Sequence, residues 1–167
     1  MEPWQRLDAA GPDDARRLLF ACCGSTPWVE RMLARRPFGN LTRLLSVSED
    51  CWRSLPPDDW REAFGHHPKI GERDLSQTRF AATRHLSEVE QAGVADVPER
   101  VLQELAEANR QYEARFGYVF IICATGRTAP EMLGSLRSRL TNDPAAEIRI
   151  AAAEQARITA LRLAAIS

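Results

Sequence analysis

One run in this chain, residues 118–123 (Tyr-Val-Phe-Ile-Ile-Cys), has the apolar, β-branched character of a buried strand, and no second run exists to pair with it. A lone strand leaves a row of backbone donors and acceptors without partners, so a sheet is not expected. The run is read as a buried extended segment whose backbone groups find other partners. The remainder must then be helical.

Helix start signals support this. Pro12-Asp13-Asp14 opens a helix running to about Cys22, with Ala15, Leu18, Leu19 and Cys22 on one side. Thr26-Pro27 starts another that carries Trp28, Met32 and Leu33 and breaks near Pro37-Phe38-Gly39. Proline fits there because the first helical N–H lacks an internal partner anyway. Asn40 caps a helix with Leu41, Leu44, Leu45 and Val47 as its buried stripe. Asp58-Asp59-Trp60 begins a short helix ending near Gly65, its acidic residues favoured by the helix dipole. The clearest helix follows Pro98, with Val101, Leu105, Ala108, Tyr112 and Phe116 on one face and Gly117 as its stop. Thr128-Ala129-Pro130-Glu131 and Asp143-Pro144 start the last two. The expected fold is all-α: a single domain over residues 1–167, a bundle of about seven to nine helices.

Charge and cysteine usage narrow the function classes. Twenty-two basic residues against 23 acidic ones give a net charge of −1, without the basic excess of a nucleic-acid binder. No run approaches the ~20 apolar residues that span a bilayer. Residues 1–10 lack the basic and apolar regions of a secretory signal, so the expected setting is cytoplasmic. Cys22, Cys23, Cys51 and Cys123 form no Cys-x-x-Cys pair, so neither metal ligation nor disulfides are expected.

Four groups of residues can carry chemistry. His66-His67-Pro68-Lys69-Ile70-Gly71 reads as a turn, since proline pushes the preceding residue out of helical geometry. A histidine held on a rigid turn suits an acid or base that must meet one substrate atom, although spacing alone favours a surface or capping histidine. Ser87-Glu88-Val89-Glu90-Gln91 is a Ser-x-x-Glu capping box, which fully explains Ser87 and Glu90. It also projects a carboxylate and an amide, Glu90 and Gln91, side by side. Arg162 falls inside the apolar arc of Ile158, Leu163 and Ile166 on a helical wheel, while Arg157 lands opposite. A guanidinium there snorkels from the helix end or holds a carboxylate through paired hydrogen bonds. Finally, Phe120, Ile121, Ile122, Cys123 and Ala124 can offer backbone groups to a small polar ligand, or simply pack as core. Gly126-Arg127-Thr128 is a weak anion-site signal.

Taken together, these stretches resemble the 2-oxo-4-hydroxy-4-carboxy-5-ureidoimidazoline (OHCU) decarboxylase family. The matching pieces, in family order, are Ser-Thr-Pro-Trp at 25–28, Trp-Arg-Glu-Ala-Phe-Gly-His-His-Pro-Lys-Ile-Gly at 60–71 and Ser-Glu-Val-Glu-Gln at 87–91. Phe-Gly-Tyr-Val-Phe-Ile-Ile-Cys-Ala at 116–124, Arg-Leu-Thr-Asn-Asp-Pro at 139–144 and Ala-Arg-Ile-Thr-Ala-Leu-Arg-Leu at 156–163 complete the set. The resemblance implies decarboxylation of OHCU to (S)-allantoin in urate breakdown, without cofactor or metal. It implies catalytic roles for His67 and Glu90. Substrate contacts fall to Pro68, Ser87, Gln91, Arg162 and the 120–124 backbone. A homodimer is also implied. The rival readings are a helical binding or interaction module without catalysis, and a cysteine-dependent hydrolase using Cys51 or Cys123.

Overall fold

The computed structural model describes residues 1–70 and 98–167, and among these it is all-helical. Eight helices are seen: α1 (Pro3–Ala9), α2 (Pro12–Cys22), α3 (Thr26–Ala34), α4 (Leu41–Arg53), α5 (Pro57–Phe64), α6 (Glu99–Phe116), α7 (Ala129–Arg139) and α8 (Pro144–Ala164). The chain packs as two compact units, one of Met1–Ala63 with Gln155–Ser167, the other of Phe64–Glu154.

In the first unit, proline and polar caps set the helix starts. Asn40 Oδ1 accepts from Arg43 N at 2.8 Å, as its sequence position predicts. The cap of α3 is Ser25, one residue before the expected Thr26, and Pro27 sits second in the helix. Thr26 is otherwise engaged: its N–H and hydroxyl both donate to the Glu62 carboxylate, at 3.0 and 2.6 Å. Helix α1 was not expected. It begins where Gln5 Oε1 accepts from Glu2 N at 3.0 Å, with Pro3 in the first position. The Asp8 carboxylate accepts from Phe38 N and Gly39 N, fixing the turn that Gly39 makes at φ 75. Trp28, Leu19, Met32 and Leu44 are wholly buried, and the Trp28 indole donates to Ser48 O at 3.1 Å.

In the second unit, α6 ends at Gly117, whose φ of 83 suits a left-handed cap that glycine adopts without strain. Residues 118–124 then run without regular structure, and Tyr118, Val119, Phe120, Ile121, Ile122 and Ala124 are buried. Thr128 opens α7 with a capping box, giving to and taking from Glu131. Asp143 Oδ2 accepts from Ala145 N and Ala146 N at the start of α8.

Candidate active site

In the second unit the His67 turn is fixed at both flanks. Helix α5 stops at Phe64, and His67 N donates to Phe64 O at 3.2 Å. The Phe64 ring packs on Tyr118 with centroids 5.1 Å apart. Past Pro68, Lys69 Nζ pairs with Glu113 at 2.9 Å, and Asn109 Nδ2 donates to Ile70 O at 3.4 Å and Leu105 O at 2.9 Å. Both Glu113 and Asn109 belong to α6, so one helix holds the turn by a charge and an amide. His67 itself is buried, at 9% exposure. Its ring therefore meets a restricted set of neighbours, as an acid–base group requires.

The 118–124 segment answers the question posed by the lone strand-like run. Its backbone partners come from side chains on two helices. Arg139 Nη1, at the end of α7, donates to Ile121 O at 2.9 Å. The Glu154 carboxylate on α8 accepts from Cys123 N at 2.9 Å. Arg127 N then closes a turn on Ala124 O at 3.0 Å.

Arg139 is in turn anchored in a buried polar network. Its Nε donates to Glu147 Oε1 at 2.7 Å, and Nη2 makes an ion contact with the same oxygen at 2.6 Å. Tyr112 OH donates to Glu147 Oε1 at 2.6 Å and Asn142 Nδ2 to Oε2 at 2.9 Å. Glu147 has no exposed surface, and the guanidinium lies 4.5 Å from the centre of the Phe120 ring. A fully buried carboxylate survives only when its charge and lone pairs are answered, and here three side chains answer it. Burial, then the bond to Glu147, push the Tyr112 phenol well above the usual tyrosine range.

Arg162 lies in the first unit and is 5% exposed, in the buried arc its sequence position predicts, with Arg157 exposed on the far side. Its Nη1 reaches Ala21 O at 3.5 Å. Beside it the Cys23 thiol, completely buried, is pushed up to about 12 by that burial, partly offset by hydrogen bonds with Thr159 and the Ser25 backbone. Gln155 Nε2 donates to the Thr159 hydroxyl at 3.0 Å.

Of the sequence-derived candidates, His67, Pro68, Phe120, Ile121, Ile122, Cys123 and Ala124 thus belong to the second unit and Arg162 to the first. Ser87, Glu90 and Gln91 lie outside the described residues. Among the described residues no three His, Cys, Asp or Glu gather to hold a metal ion, and the four cysteines form no disulfide. No helix there is long and apolar enough to cross a membrane. Sequence reasoning placed Tyr112 on a helix face and Arg139 in a matching motif, but gave no site role to Tyr112, Arg139, Glu147 or Glu154. One signal was present: on the wheel that placed Arg162, Glu147 and Glu154 fall at about −100° and −120°, beside Ile158 at about −80°.

Residues 8–164 match the family described as OHCU decarboxylase. The uric acid degradation bifunctional protein TTL of Arabidopsis thaliana is 37% identical over 143 residues, covering 86% of this chain and 44% of that protein. The 2-oxo-4-hydroxy-4-carboxy-5-ureidoimidazoline decarboxylase of Amia calva is 34% identical over 128 residues, covering 77% of this chain and 73% of the relative. Among solved structures, an OHCU decarboxylase crystallised in the presence of (S)-allantoin matches with a TM-score of 0.73 and 38% identity, covering 87% of this chain and 93% of the other. This chain therefore spans less than half the length of the plant bifunctional relative and about three quarters of the Amia enzyme.

Proposed function

The chain belongs to the OHCU decarboxylase family, and from that premise we propose that it converts OHCU to (S)-allantoin without a cofactor. The substrate carries its own electron sink, a conjugated imine in the imidazoline ring next to the carbon bearing the carboxylate. The bond to the carboxylate breaks, CO2 leaves, and the electron pair passes into that imine. A proton then replaces the lost carboxylate in the net balance, delivered to one face of the ring. The protein's part is to orient the carboxylate, polarise the ring and exclude one face from solvent protons.

His67 acts as the acid–base residue at the hydroxyl and carboxylate end of the substrate, and Pro68 stiffens its turn. Ser87, Glu90 and Gln91 hold the ureido and ring nitrogens. Arg162 holds an anionic or carbonyl oxygen, and residues 120–124 contribute backbone contacts. The observation that carries this reading is the buried His67 on a turn that α6 anchors at Lys69 and Ile70. A cytoplasmic homodimer completes the proposal, and sedimentation velocity reads the dimer directly.

Circular dichroism of allantoin formation, with substrate generated in situ from urate by the two upstream enzymes, tests the reaction and its stereochemistry together. Fast appearance of optically active (S)-allantoin is expected. Racemic product at the spontaneous rate would instead put a binding module without catalysis in first place. Comparing His67→Gln with Glu90→Gln by optical activity of the product assigns the final proton to the residue whose loss yields racemate.

A further inference from the structure

Two carboxylates on α8, Glu147 and Glu154, stand seven residues apart, two helical turns along one face, with the fully buried Ala151 between them. Each reaches residues 120–124. Glu147 does so through Arg139, whose guanidinium holds Ile121 O at 2.9 Å, and Glu154 directly, by accepting from Cys123 N at 2.9 Å. Glu147 is spoken for by Tyr112, Arg139 and Asn142 and explains itself as the centre of a core network. Glu154 is different. It is 8% exposed in an alanine-rich stretch of α8, a costly place for a carboxylate, and a main-chain amide of the segment is among its partners.

We propose that Glu154 is a positioning residue: its carboxylate fixes the Cys123 amide and, with Arg139 on Ile121, sets the geometry in which residues 120–124 meet the substrate. This rests on the functional reading above, in which that segment contacts substrate. The physical argument is one of alternatives. Extended backbone outside a sheet has no neighbouring strand to define its position, and apolar side chains alone define it only to within their packing slack. Two hydrogen bonds two residues apart, one to a carbonyl and one to an amide, pin both the translation and the rotation of the segment. A hydrogen bond to a charged acceptor is the stronger kind and holds its partner within a narrow distance. Displacing a substrate-contacting segment by about 1 Å commonly costs ~10²-fold in rate, so the role is kinetic as well as structural.

The test is steady-state formation of (S)-allantoin by Glu154→Ala, Glu154→Asp and Glu154→Gln, with thermal unfolding and amide hydrogen exchange of the peptide covering 118–124 read on the same samples. Glu154→Ala is expected to lower kcat/KM by about 10²-fold with KM raised, and to speed exchange in 118–124 while exchange in α2–α4 stays unchanged. Glu154→Gln keeps an oxygen acceptor for Cys123 N and is expected nearer the parent than Ala in both readouts. Should Glu154→Ala fail to fold, Glu154→Asp decides, since it keeps the charge and shortens the reach by one methylene: a raised KM in a folded protein supports the role. A folded Ala or Asp variant with parental KM, kcat and exchange overturns it. A parent chain that makes allantoin only at the spontaneous rate overturns the functional reading and the proposal with it, whereas an active parent with indifferent variants overturns the proposal alone.

Discussion

Replacing Arg139 by leucine would remove the one cation that, among the described residues, bonds the buried Glu147 carboxylate, which is otherwise left to Tyr112 OH and Asn142 Nδ2. Breaking a buried ion pair from one side typically costs about 3–5 kcal/mol, because the remaining charge has lost both its partner and its water. The loss here lies in that range, since the guanidinium also gives up Ile121 O and its place over the Phe120 ring. At roughly 2–4 °C per kcal/mol for a chain of this size, the unfolding midpoint falls by about 6–20 °C. Glu147→Leu strands the guanidinium and costs a similar amount. The double variant, Arg139→Leu with Glu147→Leu, buries no charge at all. Its remaining penalties are the unpaired Tyr112 hydroxyl, about 1–3 kcal/mol, and about 1 kcal/mol each for the bonds lost at Ile121 O and at Asn142 Nδ2. It should therefore be more stable than the two single losses added together by at least ~1 kcal/mol. Urea unfolding followed by far-ultraviolet circular dichroism measures all four corners of this cycle, provided the denaturant slopes agree. Additivity within about 0.5 kcal/mol would refute the reasoning, because it would mean that the two charges do not depend on each other.

Four further outcomes follow from the structure. His67→Gln should lower kcat by about 10²–10⁴-fold in a variant that still unfolds cooperatively, and near-parental kinetics would remove the centre of the proposed mechanism. The Tyr112 phenol is held neutral above its ordinary range. The unfolded chain ionises that group first, near pH ~10, so its contribution is intact below that pH and is lost as the pH rises further. Tyr112→Phe should accordingly show a shallower alkaline loss of stability than the parent, read as the unfolding midpoint against pH. Burial also raises the Cys51 thiol and carries Cys23 to about 12, so iodoacetamide near pH ~8 should modify the half-buried Cys123 well before either, as peptide mass mapping would reveal. Cys51→Ala should retain allantoin formation within about twofold; loss of activity there would favour a thiol nucleophile.

Helix positions were legible wherever a cap is written in adjacent residues. Asn40, Thr128 and Asp143 bond backbone N–H groups two or three residues on, so their signals are local and survived folding. Ser25 displaced Thr26 as a cap because Thr26 found Glu62, 36 residues away, and no local pattern encodes that preference. The seven-residue α1 is too short to show a repeating apolar stripe; its Glu2–Gln5 reciprocity was the available clue. The lone strand-like run was readable as non-sheet by counting possible partners. What replaced the sheet was not, since Arg139 reaches 18 residues back to Ile121 and Glu154 31 residues back to Cys123. Arg162 was found by its angular position alone, and the same wheel placed Glu147 and Glu154 at the edge of that arc. Charged residues at such an edge look like ordinary boundary residues until their partners are known.

The side-chain clamp on residues 120–124 has a consequence for folding in the cell. Tyr-Val-Phe-Ile-Ile-Cys is uncharged, rich in β-formers and free of proline, the composition of a segment that stacks with copies of itself when exposed. Ahead of the docking of α7 and α8, its amides and carbonyls have no helix side chains to bind and stand open to another chain. Arg139 and Glu154 thus act as gatekeepers placed at a distance in sequence, closing an edge that flanking charges do not close. Variants that weaken either should partition into aggregates during synthesis well before the folded protein loses its stability, and slower growth at lower temperature should recover them.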